Sequence, residues 1–537
     1  MQSRLEKMRV EDIDHLGIIA GIVDQIGLEA LVNGCLGTHV QQKVSPGQGI
    51  KAMILNGLGF VSSPLYLYEE FFVGKATEHL VGKGIKPSHL NDDYLGRLLD
   101  KVWAYGPSQL FSVVSMAAYQ AFGLDSRRYH LDSSSLSVHG VYETDNEEPG
   151  CIEITHGYSK DHRPDLKQFV VETICTNDGG VPLAFEVASG NQSDKAVFAD
   201  RLKTFAEHWS VEGILVADSA LYSADNLATL GSLRWITRVP LTLGAAQSVV
   251  TEISPEAFSA SERDGYRLAR VCTTYGGMPQ AWVVVENQTR VETDCQQVDK
   301  QVAKHLVSST KQLRRQQAIE FNCDADARRQ AETLASRWPY HRLSQLAVVE
   351  QPYYDQSGRP KTGATPTRVT YRITAQIVAD DAAIHQAKRK AGRFILATNA
   401  IEDETFTDEM ILADYKGQSV SEQGFGILKD PLFFTSSIFL KTPERIAALA
   451  IIMGLSLMVY TLAQRQVRQA LDQANETLLD QRKQPTQTPS LRWIFQRFQA
   501  VHLVWLDDHP QVSNLSPERL KILKFLGAPC QKYYLIC

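Results

Sequence analysis

The stretch YHLDSSSLSV, residues 129–138, alternates enough to predict a β-strand that carries an aspartate, Asp132. A second stretch, GILVAD at residues 213–218, is a short apolar run typical of a buried strand, and Asp218 ends it. Acids at such strand ends can converge on one edge of a central sheet, where ligand sites form. The two stretches therefore predict an α/β fold with carboxylates at one edge of its sheet.

The residues between these stretches predict a hairpin followed by a helix. Residues 167–177 and 181–188 are rich in β-forming residues and are joined by Asp-Gly-Gly, which has the chemistry of a tight turn. Residues 195–209, KAVFADRLKTFAEHW, have the apolar spacing of an amphipathic helix. The expected order is three strands, a helix and a fourth strand.

The flanking regions differ from this core in the spacing of their apolar residues. Before about residue 124, apolar residues recur at helical spacing and are interrupted by Gly and Pro, which predicts an all-helical domain. This domain could bind DNA ends, mediate assembly or serve only in packing. After the core, strand-like runs mixed with a charged helical stretch predict a β-rich insertion. The predicted domains are 1–124 (helical), 125–244 (first part of the core), 245–390 (β-rich insertion), 391–480 (second part of the core) and 481–537 (polar linker and C-terminal helical segment).

Bulk properties fit an ordinary globular protein of a reducing compartment. The chain has 537 residues, 44% of them hydrophobic, and its eight cysteines form no C-x-x-C pair. The polar N-terminus lacks an apolar signal core, so we expect a cytoplasmic protein. Residues 446–463 form an apolar run at the lower limit for a membrane span. Its Thr-Pro-Glu start and its position beside the best catalytic candidate favour a buried core helix and no membrane contact.

The net charge of −6 argues against indiscriminate binding of nucleic acid, but it leaves room for local basic patches. The candidate patches are residues 160–167, 311–315 and 388–393. Each alone is more often a solvated surface than a DNA contact.

Four residues near position 420 carry the strongest local pattern. Tyr415, Gln418, Glu422 and Lys429 are offset by 3, 7 and 14 residues, so on one continuous helix they fall within an arc of ~60°. Pro431 marks the expected end of that helix. On a helix standing alone, this arrangement would be an ordinary solvated stripe.

These four residues resemble the Tyr-Arg-Glu-Lys pattern of DDE-class insertion-sequence transposases of the cut-and-paste branch. Asp132 and Asp218 look like the first and second catalytic aspartates of that family. HGYSKDHRPDLKQ (156–168) and GNQSD (190–194) also resemble its segments between the two aspartates. The resemblance covers residues 125–465. It implies a ribonuclease-H-like mixed sheet with flanking helices, interrupted by the β-rich insertion.

The resemblance implies that Asp132, Asp218 and Glu422 are catalytic and hold two Mg²⁺ or Mn²⁺ ions, with Asp132 as the bridging ligand. Such a pair, ~4 Å apart, activates an attacking oxygen and stabilises a leaving one. Water would first cut the strand, and a 3′-hydroxyl would then join it to target DNA. The expected DNA-binding residues are Tyr415, Gln418, Lys429, Lys160, Arg163 and Lys167. The implied partners are double-stranded DNA at transposon ends and targets, and a second protomer, since two ends must be paired. The implied location is the nucleoid of a prokaryote.

One position departs from the family pattern. Gln418 stands where the family has Arg, so a charged fork for phosphate is replaced by a neutral donor. Two alternatives therefore stay open, a metal-dependent nuclease on the same fold and a catalytically silent DNA-binding protein. His156 and His162 have no metallohydrolase spacing. We expect Trp282 and Trp338 to pack in the core rather than to stack on an extruded base.

Overall fold

The computed structural model describes residues 8–60, 63–125, 127–140, 142, 151–355, 362–401, 403, 406–431, 440–506 and 509–536. The first seven residues, on which the expectation of no export signal partly rests, lie outside this set. The strands are β1 (Arg9–Asp12), β2 (Arg128–Val138), β3 (Lys167–Thr176), β4 (Pro182–Ser189), β5 (Ile214–Ala217), β6 (Arg234–Val239), β7 (Ser259–Ala260), β8 (Tyr266–Tyr275), β9 (Met278–Asn287), β10 (His341–Tyr353), β11 (Arg368–Ala379), β12 (Arg393–Thr398), β13 (Leu478–Leu479), β14 (Pro485–Thr486), β15 (His502–Leu506) and β16 (His509–Val512).

The first seven α-helices lie between β1 and β2, and the others follow later strands. They are α1 (Leu16–Ile26), α2 (Leu28–Leu36), α3 (Pro46–Gly57), α4 (Tyr68–Phe72), α5 (Thr77–Leu80), α6 (Asp92–Tyr105), α7 (Pro107–Phe122), α8 (Asp194–Trp209), α9 (Ala224–Leu230), α10 (Gly244–Glu252), α11 (Gln288–Gln317), α12 (Asp324–Ala335), α13 (Asp381–Arg389), α14 (Asp408–Gly417), α15 (Ser419–Leu428), α16 (Pro443–Ala474), α17 (Leu491–Arg497), α18 (Pro517–Leu526) and α19 (Ala528–Gln531).

One large mixed sheet organises the described residues. Its nine strands run in the order β4-β3-β2-β5-β6-β12-β9-β8-β7. β2, β5 and β6 are parallel, and β3 and β4 join them as an antiparallel hairpin. The predicted sequence of three strands, a helix and a fourth strand is confirmed. The four residues of β5 are all buried, as an apolar strand in the middle of a sheet should be.

The region expected to be a separate β-rich insertion belongs partly to this sheet. β9 pairs with β12 over six residue pairs and β8 pairs with β9, so both strands extend the main sheet. β9 can take this place because seven consecutive residues of it are buried. The part that leaves the sheet lies between β9 and β12. It combines three helices, α11, α12 and α13, with the β10–β11 hairpin and has a small core of its own around Ile373. Within the predicted insertion, residues 245–390, β7, β8 and β9 are thus strands of the main sheet, and the residues after β9 form helices as well as a hairpin.

A long buried helix, α16, forms the centre of the hydrophobic core. Every residue from 446 to 463 is buried, among α1, α3, α6, α7, α18 and β4. Among the described residues, it is the one continuous helix long and apolar enough to cross a membrane, and its apolar window is entirely enclosed by the fold. The bent pair α1 and α2 passes the same test only if taken together. The expectation of a buried core helix at 446–463 is confirmed.

The C-terminal segment is more structured than predicted. β15 pairs with β1 and β16, so residues near the two ends of the chain share a three-stranded sheet. The supposed linker, which begins at residue 481, contains β14, and β14 pairs with β13 just before the linker. The run HLVWL of β15 has strand character, but its partner lies almost 500 residues away, which a local pattern does not reveal.

Candidate active site

Asp132 and Asp218 lie side by side at the junction of two parallel strands. Leu131 of β2 is paired with Ala217 of β5, and each aspartate is the next residue along its strand. Neighbouring strands are about 4.8 Å apart. The Asp218 carboxylate accepts a hydrogen bond from the Ala220 N–H at 2.8 Å, and its carbonyl accepts one from the Thr237 hydroxyl at 2.6 Å. Backbone pairing and these bonds fix the position of Asp218.

Glu422 reaches the same place from α15, which packs on β2. The prediction of one continuous helix from Tyr415 to Lys429 is wrong, because the chain breaks at Gln418 between α14 and α15. At the break, the N–H of Gln418 donates to the Tyr415 carbonyl at 3.2 Å and the N–H of Ser421 donates to the Gln418 carbonyl at 3.0 Å, so each hydrogen bond spans three residues instead of four. The second helix, α15, continues through Gly424 and Gly426. Lys429 directly follows its last residue, in keeping with a predicted end before Pro431.

The break is held against β2 by a very close backbone approach. A Cβ on Gly417 would lie 2.2 Å from Asn177 Oδ1 and 3.1 Å from the His130 ring, so this position has no room for a side chain. His130 Nε2 in turn lies 3.0 Å from Asn177 Oδ1. The turn after β3 and the start of β2 therefore set the orientation of α15 and of Glu422.

A buried ion pair holds the preceding helix to the same strand. The Arg128 guanidinium on β2 donates to the Asp414 carboxylate on α14, and their side chains are 18% and 12% exposed. The guanidinium carbon of Arg128 also lies 5.4 Å from the Phe406 ring centroid. These contacts place Tyr415, the residue after Asp414, near the acids.

The Asp218 and Glu422 carboxylates are close enough to Asp132 to affect its pKa. Burial raises the pKa of Asp132 to about 7, and the negative charges of Asp218 and Glu422 add to this rise. The Lys160 ammonium and the Ser133 N–H, 2.8 Å from the Asp132 carboxylate, oppose it. Burial also raises the pKa of Tyr415, with Arg238 opposing and Asp218 and Glu422 adding to the shift. Residues from five separate segments are thus close enough to influence each other.

The chemistry of this donor set suits a hard divalent cation. All three acids offer carboxylate oxygens, and their mutual repulsion is of the kind that a bound positive charge relieves. Within the described part of the chain, no three His, Cys, Asp or Glu side chains are arranged to ligate a single ion together.

The predicted DNA-binding residues are only partly gathered at the site. Lys160 is close, because its ammonium donates to the carbonyl and the hydroxyl of Ser133 at 2.7 Å. Lys429 forms an ion pair with Asp161 at 2.6 Å. Lys167 is paired with Val138, six residues beyond Asp132 and so about 20 Å along β2.

Of two further predicted contacts, one has an ion-pair partner and the other is buried. Arg163 forms an exposed ion pair with Asp165 at 2.7 Å. Gln418 is only 8% exposed at the break between α14 and α15. A phosphate contact by Gln418 would therefore need the helix junction to open.

Sequence reasoning missed Arg238. It is the one exposed residue in the second half of β6, between buried Thr237 and Val239, and it lies beside Tyr415. Its guanidinium carbon is 5.4 Å from the Phe394 ring centroid. An arginine interrupting an apolar strand of a sheet next to Asp218 was the available signal.

Trp282 and Trp338 are buried, so the expectation that they pack in the core is confirmed. The indole N–H of Trp282 donates to the Tyr222 hydroxyl at 3.0 Å, and that of Trp338 donates to Gln312 at 2.9 Å. Each indole thus has a protein partner.

The chain was compared with known families, curated proteins and solved structures. None of the curated proteins is significantly similar to it in sequence. A cryo-EM structure of a piggyBac transposase synaptic complex with hairpin DNA is 8% identical, with a TM-score of 0.40, and the match covers 89% of this chain and 79% of that one. A domain of unknown function, DUF4277, matches residues 8–116. The transposase DDE domain matches residues 124–462, which is more than half of the chain and includes all three acids. The chain therefore belongs to the family of transposases with a DDE domain.

Proposed function

We propose that this transposase cuts DNA at the terminal inverted repeats of an insertion sequence and joins the 3′ ends to target DNA. The observation that supports this most strongly is the meeting of Asp132, Asp218 and Glu422, from two strands and a distant helix, inside the region that matches the DDE domain. The order of β4, β3, β2, β5 and β6 supports a ribonuclease-H-like core.

We assign Asp132, Asp218 and Glu422 as the catalytic acids and as the ligands of two Mg²⁺ or Mn²⁺ ions, with Asp132 shared. When bound, these ions would supply the positive charge that activates an attacking oxygen and stabilises a leaving one. The chain's own contribution is to hold the carboxylates in place. Strand pairing fixes the two aspartates, and the Arg128–Asp414 pair and Gly417 fix the helices that bring Glu422.

Basic and aromatic residues around the acids would bind the DNA. Tyr415 and Arg238 lie on one side, and Lys160 lies close to Asp132. Lys429, which pairs with Asp161 in the absence of DNA, would exchange this carboxylate for a DNA phosphate. The buried position of Gln418 argues that it supports the helix junction rather than a phosphate.

The partners in this proposal are double-stranded DNA and at least one more copy of the chain, because two transposon ends must be cut together. The helices before residue 124 would contribute to end binding or assembly. The protein would act in the cytoplasm, at the nucleoid of a prokaryotic cell.

The decisive experiment is Glu422→Gln, assayed on DNA that carries the element's ends. Cleavage should fall at least about 10³-fold, because one of three charges that hold the ions is lost, whereas end binding should be retained. Glu207→Gln on α8, which changes an exposed glutamate outside the site, is the matched control and should cut normally.

The products distinguish the three hypotheses. Joined products identify a transposase, cleavage without joining identifies a nuclease, and binding alone identifies a silent DNA-binding protein. Full cleavage by the Glu422→Gln variant would refute the assignment of this residue.

A further inference from the structure

Two sequence segments, HGYSK (156–160) and GNQSD (190–194), lie together beside β2, and apart from Lys160 they have no role so far. A Cβ on Gly157 would lie 1.9 Å from the Gly190 carbonyl oxygen, and a Cβ on Gly190 would lie 2.1 Å from the Gln168 carbonyl oxygen. Neither glycine has room for a side chain. This close approach fixes the two segments relative to each other.

Gln168 joins both segments to the sheet. Its side chain is 1% exposed, and its amide donates to the Gly190 carbonyl at 2.7 Å and to the Tyr158 carbonyl at 3.2 Å. Its backbone pairs with Thr155. The segment that carries Tyr158 is therefore held at a defined place on the protein surface.

Between the two segments and β2 lies a cleft of about 270 Å³, which we call the Tyr158 cleft. Its described lining includes two lysines and no aspartate or glutamate. The residues that matter here are Ser133, Ser135, Tyr158, Lys160, Lys195 and Ala220. Tyr158 is 84% exposed, so packing in the core is not its role.

The cleft lies close to the acids, across β2 from the Asp132 side chain. Ser133 follows Asp132 in β2, and Ala220 follows Asp218 by two residues. The pairing of β5 with β2 stops at Leu131, while β2 continues to Val138. Since side chains alternate along a strand, Ser133 and Ser135 face the side opposite to Asp132. A DNA strand crossing the edge of β2 would reach the acids and the cleft in succession.

We propose that the Tyr158 cleft binds one nucleotide of the DNA strand next to the phosphodiester that is cut, a proposal that rests on the proposed function. The base stacks on the Tyr158 ring, because an exposed aromatic side chain is a general platform for unpaired bases. Lys160 and Lys195 hold the adjacent phosphate. A base inside a duplex has no free face, so the nucleotide must be unpaired or turned out of the helix. The cleft volume suits one nucleotide and not a duplex.

The first test uses ultraviolet cross-linking of the full chain in EDTA. The probes are oligothymidylates of about ten nucleotides, each with a single 5-iodouracil at a different position. Mass spectrometry should find a cross-link on Tyr158. If 5-iodouracil cross-links to Tyr158 from none of its positions in the probes, the proposal is overturned.

The second test measures the affinity for the same oligonucleotides by fluorescence anisotropy. Tyr158→Ala should bind roughly tenfold more weakly, whereas Tyr158→Phe should bind like the wild type, because stacking needs the ring and not the hydroxyl. Tyr66→Ala, at an exposed tyrosine before α4, is the control and should bind normally. Equal affinities of the Ala and Phe variants at position 158 would contradict base stacking.

Two lysines of α8 offer a matched pair for the phosphate contact. Lys195→Gln should reduce the slope of log affinity against log salt concentration by roughly 0.7, the value for one phosphate contact on a single strand. Lys203→Gln, on an exposed lysine of the same helix outside the cleft, should leave the slope unchanged. Equal slopes in both variants would remove Lys195 from the proposal.

Failure of this proposal and failure of the proposed function give different results. If the chain cuts no DNA but cross-links through Tyr158, the nucleotide-binding cleft is supported and the proposed cutting activity is refuted. If the chain cuts end DNA but the Tyr158→Ala variant binds the oligonucleotides as well as the wild type, the cutting activity is supported and the nucleotide-binding cleft is refuted.

Discussion

Asp414 stands directly before Tyr415 and shows how one side chain can hold a distant helix in place. It pairs with Arg128 at the start of β2, nearly 300 residues earlier in the chain, and both side chains are largely buried. Breaking a buried pair by removing one partner leaves the other charge without compensation. Arg128 and Asp414 therefore matter for the site although neither is one of its acids.

Asp414→Ala should lower the free energy of unfolding by about 3 kcal/mol, because Arg128 is left buried and unpaired. Urea denaturation followed by circular dichroism measures this change. Cleavage of end DNA should also fall, since α14 and α15 are no longer fixed to β2. Asp165→Ala, which breaks the exposed pair with Arg163, is the control and should leave the denaturation midpoint unchanged. Equal midpoints for the Asp414→Ala variant and the wild type would contradict the structural role of the pair.

Among the secondary-structure elements, the α14–α15 unit decides whether the third acid reaches the other two. Its break falls at Gln418 and not at the glycines within α15, because Gly417 contacts His130 and Asn177 from two other segments. The helix break is thus a tertiary effect rather than a local preference of the sequence.

A pair of glycine substitutions tests this explanation. Gly417→Ala should lower both stability and cleavage, because the new methyl group would clash with the Asn177 side chain and push α15 away from β2. Gly426→Ala meets no atom within 4 Å and should raise stability by about 0.5–1 kcal/mol, since alanine favours a helix. Thermal denaturation and the cleavage assay together measure both effects. Similar behaviour of the two variants would contradict a specific contact at Gly417.

The sequence predicted the local elements of the site better than their long-range pairing. The alternation around Asp132 predicted that it lies on a strand, and the apolar run before Asp218 predicted that it follows one. Both patterns depend on neighbouring residues only. The place of β8 and β9 in the main sheet did not follow, because it depends on pairing of β9 with β12, more than 100 residues further on. Arg238 was missed for a similar reason, since its partner Tyr415 comes from a distant helix.

For the whole molecule, α16 is the element that unites the parts. Its buried residues belong to a single hydrophobic cluster that includes the N-terminal helices, the main sheet and the C-terminal helices. The segment near the C-terminus contacts the N-terminal helices. Tyr534 lies against α1, where its hydroxyl donates to the Asp14 carbonyl at 2.6 Å. We therefore expect the two ends of the chain to stabilise each other.

A buried charge cluster at this contact gives a prediction about pH. Lys51 on α3 donates to Asp24 of α1 at 2.7 Å and to the Tyr533 hydroxyl at 2.8 Å, and Lys532 pairs with Asp24 at 2.7 Å. Burial alone would raise the pKa of Asp24, but Lys51, Lys532 and Tyr533 together lower it below its usual 3.8. The folded state therefore favours the ionised carboxylate. Its contribution to stability is present above about pH 4 and is lost as the pH falls through the lowered pKa.

Asp24→Asn should remove this part of the acid sensitivity. The melting temperature of the variant should lie below that of the wild type at neutral pH, and the difference should shrink as the pH falls below about 4. Asp200→Asn, at an exposed position of α8, is the control and should follow the wild type at every pH. A constant difference between the Asp24→Asn variant and the wild type over the whole range would contradict a role for the ionised carboxylate.

The proposed meeting of Asp132, Asp218 and Glu422 around one pair of ions is tested most directly by iron-directed cleavage of the protein itself. Fe²⁺ replaces Mg²⁺ at carboxylate sites, and with ascorbate and peroxide it cuts the backbone next to the ion. We predict fragments that end near residues 132, 218 and 422, all suppressed by excess Mg²⁺ and lost together in the Asp132→Asn variant. Cleavage near residues 132 and 218 without any near 422 would contradict a shared site.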